Sequence, residues 1–253
     1  MLEAIWTGLL VTLLTWLGAT LWRNRRRLSL LAVALRPRCE VRVSVASLLR
    51  VQDDDHHLLV HSPYRPDSYG PLGGVLKYHP SARPDLDRLG FREDGRVDQR
   101  MHSDLRGFLP ARALPRFARW LDAERDRETA LEAMRRELTE ELTEIGHPEL
   151  TTGIERLRFA PVRHVLEGPL KAPGRAFCQI RFFDVFDLHL DTPDAIALRD
   201  ALLALAADPD DVGAVLVTSD DILHGRHDRF YVGPHAAYLI GPHRLRADLP
   251  PLR

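Results

Sequence analysis

The stretch "ETALEAMRRELTEELTEIG", Glu128 to Gly146, decides how the chain is read. Leu131, Met134, Leu138, Leu142 and Ile145 recur at helical spacing, which predicts a helix from about Thr129 to Ile145, ended by Gly146 and Pro148. On that helix Glu137, Glu140 and Glu141 stand three and four residues apart, so their carboxylates share one face. Like charges at this spacing repel, and a divalent cation reverses the sign. Three hard oxygen donors suit Mg²⁺, or Mn²⁺ in its place, and Mg²⁺ keeps waters and favours phosphate partners. Such an ion bridges a diphosphate, draws charge from phosphorus and acidifies a bound water. Arg136, beside Glu137, offers a planar fork for a carboxylate or a phosphate oxygen. The plainer alternative is an acidic, solvated helix face.

Upstream, "YGPLGGVLKY" places Gly70, Pro71, Gly73 and Gly74 within five positions and marks a backbone bend beside a strand. The alternation in "CEVRVSVASLLRV" from Cys39, the acidic turn Asp53 to Asp55 and the run "HHLLVHSP" predict a strand hairpin. From Pro80 to Leu114 the chain is arginine-rich and broken by prolines, with apolar positions too sparse for a core of its own. It reads as an insertion with a helix near Pro115 to Leu121. Downstream, "RLRFAPVRHVL" and "AFCQIRFFDVFDL" predict a second hairpin. Thr192 followed by Pro193 and Asp194 starts a helix running to Ala207, "VGAVLVTS" reads as a last strand, and "GPHAAYLIG" as a closing short helix. Strands and helices mix without strict alternation, which points to an α+β layered sandwich rather than a doubly wound sheet.

In this pattern the chain resembles the Nudix hydrolase family. Its signature is a glycine, a glutamate six positions on, then seven residues and Arg-Glu-aliphatic-any-Glu-Glu-any-Gly. Glu128, Arg136, Glu137, Leu138, Glu140 and Glu141 match in register, and Gly73 with Gly74 fits the Gly-Gly pair that the family carries at a strand end. The resemblance implies a Nudix-type α/β/α sandwich. It makes Glu137, Glu140 and Glu141 metal ligands or the catalytic base, and Arg136 and Glu128 their structural supports. Asp122 and Thr143 stand where the family has its two box glycines, and about fifty residues separate Gly74 from Glu128. A long insertion, about 78–124, therefore rebuilds the side that faces the substrate.

The N-terminal end is of a different kind. From Ala4 to Trp22 no residue is charged and six are leucine, enough at about 1.5 Å per residue to cross roughly 30 Å of hydrocarbon. Arg23, Arg25, Arg26 and Arg27 follow at once, placing the C-terminal side in the cytoplasm of a single-pass inner-membrane protein. The expected organisation is thus a transmembrane anchor with basic flank over 1–27, a juxtamembrane linker over 28–38 and the Nudix domain over 39–250. Leu28 to Leu35 is too short to span, and lies at the interface or joins the domain. The net charge of −1 supplies no cationic excess, so DNA or RNA is not an expected partner. Cys39 and Cys178 are far apart and outside any zinc spacing, which suits a reduced, cytosolic domain.

An N-terminal span joined to a Nudix domain with this insertion is similar to the membrane-anchored Nudix effectors of bacterial cyclic-oligonucleotide antiphage systems. That resemblance implies a cyclic-nucleotide messenger made by a partner nucleotidyltransferase, homo-oligomeric assembly, and pore formation or bilayer disruption with growth arrest. A Mg²⁺-dependent hydrolase of a nucleoside diphosphate linkage is the alternative. Weaker signals stay open. Lys77, Arg83, Arg88, Arg92, Arg96, Arg100, Arg106 and Arg112 either line a phosphate pocket or form an ordinary charged loop. Asp220 and Asp221 are a base from outside the box or a helix cap, Trp120 is core or stacks on a base, and the histidines read as solvated.

Overall fold

In the computed structural model, residues 12–20, 28–35, 39–62, 65–95, 102–171 and 176–248 are described. Residues 12–20 are helical, with Leu13, Leu14, Trp16 and Leu17 exposed. The rest of the span expected from Ala4 to Trp22, and the arginines after it, lie outside the described residues. Among the described residues, no helix is long and apolar enough to cross a membrane.

In chain order the elements are α1 (residues 28–34), β1 (Glu40–Arg50), β2 (Gln52–Asp53), β3 (His56–Ser62), β4 (Arg65–Gly70) and β5 (Gly73–Val75). The region expected as an insertion supplies α2 (Arg83–Leu89), β6 (Arg92–Glu93), β7 (Arg106–Pro110) and α3 (Leu114–Asp122). Then come α4 (Ala130–Glu144), β8 (Phe159–Lys171), β9 (Cys178–Leu188), α5 (Pro193–Ala207), β10 (Ala214–Thr218), α6 (Ser219–His224), β11 (Arg226–His227), β12 (Phe230–Val232) and α7 (Ala237–Ile240).

Two mixed sheets result. One runs β6-β7-β1-β9-β8, with β5 continuing the β7 edge of β1; the other runs β10-β3-β4-β12-β11, with β2 on β3. β1 and β9 pair in parallel from Val41↔Cys178 to Arg50↔Asp187. Because side chains alternate along a strand, β1 serves both faces. Val41, Val43 and Val45 pack with Leu114, Phe117 and Leu121 of α3, whereas Leu49 and Val51 pack with Met134, Leu138 and Leu142 of α4. Ala46 and Leu48 point the other way, toward Ile222, Tyr238 and Leu239. Helices therefore cover both sides of the central strands, and the mixed α+β architecture fits a Nudix domain.

Two sequence readings are corrected here. The first expected hairpin splits between sheets: only the short β2 pairs with β3, while β1 finds its partners in β7, β5 and β9. Local alternation marks a strand but carries no information on its distant partner. As expected, the Pro80 to Leu114 region has no core of its own but shares one. Ala82, Leu86, Phe91, Leu105, Leu109 and Leu114 are buried in one cluster with β1, because β7 completes its sheet. "VGAVLVTS" forms β10, yet β11 and β12 follow it.

Other elements form where the chain's chemistry puts them. Thr129 caps α4 reciprocally with Glu132, Thr192 caps α5 by accepting from Ala195 N, and β8 and β9 pair antiparallel as expected, with β8 running on to Lys171. In α1, Leu30 (7% exposed) and Val33 (1%) enter the core, so residues 28–34 pack on the domain.

Candidate functional site

The box helix α4 docks on β5 and β1, and the glycine bend sets how closely. Gly73 has φ +125°, and a Cβ there would lie 2.1 Å from the Ser47 carbonyl oxygen. A Cβ on Gly74 would sit 2.0–2.3 Å from the atoms of the Glu137 carboxylate. Only glycine lets the acidic face of α4 reach the strand end. Ser47 completes the dock, its hydroxyl donating to the Ala130 carbonyl at 2.9 Å.

Arg136 is the hub of this contact. Its Nε and Nη2 donate to the two oxygens of Glu128 at 2.8 and 3.0 Å, and Nη2 also donates to the Val75 carbonyl at 2.8 Å. Nη1 reaches Glu137 at 2.8 Å and Glu140 at 3.4 Å. Glu128 meanwhile accepts from Lys77 N at 2.8 Å, which ties the residue before the helix to the chain after β5. Burial opposes the Arg136 charge, but the bonds to Glu128 and Glu137 outweigh it and hold its pKa above the ordinary value.

The three predicted carboxylates have unlike surroundings. Glu141 turns under the bend and accepts from Gly73 N at 2.8 Å. Loss of water pushes its pKa well above the carboxylate range, against that hydrogen bond and with help from Glu137 and Glu140. Glu137 is also raised, by burial first, with Arg136 opposing. Glu140 remains the most exposed of the three as the partner of Arg136. Among the described residues, no three acidic, histidine or cysteine side chains converge closely enough to hold a metal ion. The reason is local, since Arg136 and Gly73 N already engage the three acids. The donors themselves, three carboxylates on one helix face, have the chemistry of a site for a hard cation.

These glutamates line one wall of a cavity of about 540 Å³. Arg42 of β1, Arg106 of β7 and Arg181 of β9 line it as well, with Asp104 and His235. Sequence reading missed Arg42, Asp104, Arg181 and His235. Of the basic residues expected as either pocket or loop, Arg106 lines the cavity, whereas Arg83, Arg88 and Arg92 pair with Asp87, Asp85 and Glu40. Arg96 and Arg100 lie outside the described residues. Asp104 is pushed up to about 7 by burial, with Arg106 opposing and Glu137 adding to the rise. Arg181 is held by Glu167 and, at 2.8 Å, by Asp248. The histidines are not all solvated: His57 is buried at the start of β3, and His235 Nε2 is buried without a hydrogen-bond partner. Burial first, then Arg181, pushes the His235 pKa down to about 4, so its ring is neutral near pH 7. Asp221 caps α6 through Thr218, and Trp120 packs beside Phe117.

A glutamate helix seated on a Gly-Gly bend by an arginine, between layers of a mixed sandwich, defines a Nudix-type domain. The family described as "SMODS-associated NUDIX domain" matches residues 40–240, from the first residue of β1 to the last of α7, and the chain belongs to that family. No curated protein matches it. The SMODS association points to an antiphage effector role and to a link with a nucleotidyltransferase.

Proposed function

We propose that the domain recognises a cyclic-nucleotide second messenger in the cavity beside α4, on the cytoplasmic side of the membrane, and that recognition drives homo-oligomeric assembly and damage to the bilayer. The observation carrying this reading is the cavity itself, where Arg42, Arg106 and Arg181 share the lining with Glu137, Glu140 and Glu141. Guanidinium groups suit phosphodiester oxygens, and a volume of about 540 Å³ lies in the range of small-molecule sites. Mg²⁺ or Mn²⁺ held by Glu137, Glu140 and Glu141 would neutralise the acidic wall and polarise a phosphoryl oxygen. The chain's own residues bind and orient: Arg136 fixes Glu128 and Glu137, Gly73 N fixes Glu141, and the arginines take phosphate charge. Binding to the assembled state alone shifts the population toward it. The apolar leader, Ala4 to Trp22, supports action at the membrane.

A second reading, a hydrolase of nucleoside diphosphate linkages, is favoured by one observation. The Glu128–Arg136–Val75 lattice that presents the box carboxylates is intact. One experiment separates the two. Thermal shift of the full chain is measured against cyclic di- and trinucleotides and linear dinucleoside polyphosphates, with and without Mg²⁺, alongside phosphate release. The sensor reading expects a cyclic nucleotide to raise the melting temperature, and expects messenger-triggered growth arrest to survive Glu140→Gln with Glu141→Gln. If only linear diphosphates bind and are turned over, and the double variant abolishes turnover, the hydrolase reading replaces it.

A further inference from the structure

The only two cysteines of the chain, 139 residues apart in sequence, meet in the fold. Cys39 immediately precedes β1 and Cys178 opens β9, where the parallel pairing begins at Val41↔Cys178. Their sulfurs lie 3.5 Å apart, and both residues are half-buried. The backbone of Cys39 is held in place by Ala111 N, which donates to its carbonyl at 3.0 Å. Closing the gap to a disulfide bond of about 2.05 Å requires the sulfurs to approach by roughly 1.5 Å.

We propose that Cys39 and Cys178 form a redox modification site, a dithiol in a reducing cytosol that closes to an intramolecular disulfide when a peroxide is present. The thiolate of one cysteine attacks hydrogen peroxide, forming a sulfenic acid and releasing one water after proton transfer. The second thiolate then attacks that sulfur, forms the S–S bond and expels hydroxide, which leaves as the second water. Two thiols lose two electrons, and one peroxide is reduced to two waters. This site is independent of the nucleotide reading. It clamps the strand ends from which, three residues on in each case, Arg42 and Arg181 project to the cavity wall.

The test uses the purified full chain, with Cys39→Ser and Cys178→Ser as controls. Oxidation by hydrogen peroxide is followed by thiol titration, non-reducing electrophoresis, intact mass and melting temperature, then reversed with dithiothreitol. The expected result is loss of both thiols and a monomer lighter by two hydrogens. Its melting temperature rises by about 5 °C or more, because the cross-link restricts a long loop of the unfolded chain. Dithiothreitol restores the starting state, and neither serine variant shows the stabilisation. Persisting thiols, sulfinic acid as the main product, disulfides only between chains, or a disulfide without stabilisation would each overturn the proposal.

Discussion

Replacing Arg136 by methionine removes the hub between α4 and β5 while keeping much of its bulk. Glu128 then loses two charge-assisted hydrogen bonds, Glu137 loses one, and the Val75 carbonyl loses its donor. Arg136 is 21% exposed and Glu128 15%, so water restores little of what is lost. Breaking one partner of such a pair costs about 3 kcal/mol, and stranding a carboxylate is the larger part of that cost. For a domain of this size the loss corresponds to a melting temperature lower by roughly 6–12 °C. The companion variant Glu128→Gln removes the stranded charge. In the double variant the losses should therefore fall short of additive by about 1.5 kcal/mol or more. Urea unfolding of wild type, both single variants and the double variant, followed by circular dichroism, measures this cycle. A loss below about 1 kcal/mol for Arg136→Met, or strict additivity, would refute the argument that Arg136 seats the box helix.

Four further outcomes follow from the same geometry. Gly73→Ala places a Cβ against the Ser47 carbonyl at a φ that L residues rarely adopt, and should cost several kcal/mol, about 3 or more, in chemical denaturation; an unchanged midpoint would contradict it. Asp104 is raised in the folded state, so the native protein binds the extra proton and stability falls as pH rises from the unfolded value near 3.8 to about 7. Asp104→Asn should flatten that slope and stabilise the domain above pH 7 by on the order of 2 kcal/mol, read from melting temperatures between pH 4 and 8. Glu167 accepts from Arg181, Arg244 and Tyr238, and Glu167→Ala should destabilise by about 3 kcal/mol in urea, whereas a change within 0.5 kcal/mol would remove its anchoring role. Thr129→Ala breaks the reciprocal cap with Glu132 and should cost about 1 kcal/mol, with faster amide exchange confined to the first turn of α4.

How far the sequence could be read followed the range of the forces involved. Helical spacing of Met134, Leu138 and Leu142, the Thr129 and Thr192 caps, and the antiparallel pairing of β8 with β9 are local, and each is found where the pattern puts it. Glu137, Glu140 and Glu141 share a helix face by geometry alone, so their common cavity wall was legible. The other lining residues depend on strand partners far away in the chain. Arg42 looks like the outward residue of an alternating strand, and only the parallel neighbour β9 brings Arg181, opposite Ser44, to the same cavity. Asp104 and Arg106 did leave a signal: in "DLRGFLP" they alternate with Leu105, Gly107 and Leu109, so they share the face opposite to those core positions. Proline and arginine density hid that strand. His235 and the Cys39–Cys178 contact had no local trace, because both depend on segments far apart in the chain, the cysteines on the parallel pairing of β1 with β9.

The most direct test of the central claim is a crystal structure of the chain grown with a cyclic dinucleotide and Mn²⁺, with an anomalous map recorded at the manganese edge. The account predicts nucleotide density in the cavity, phosphates toward Arg42 and Arg106, and a manganese peak among Glu137, Glu140 and Glu141. Nucleotide bound elsewhere, or a metal peak away from α4, would contradict it.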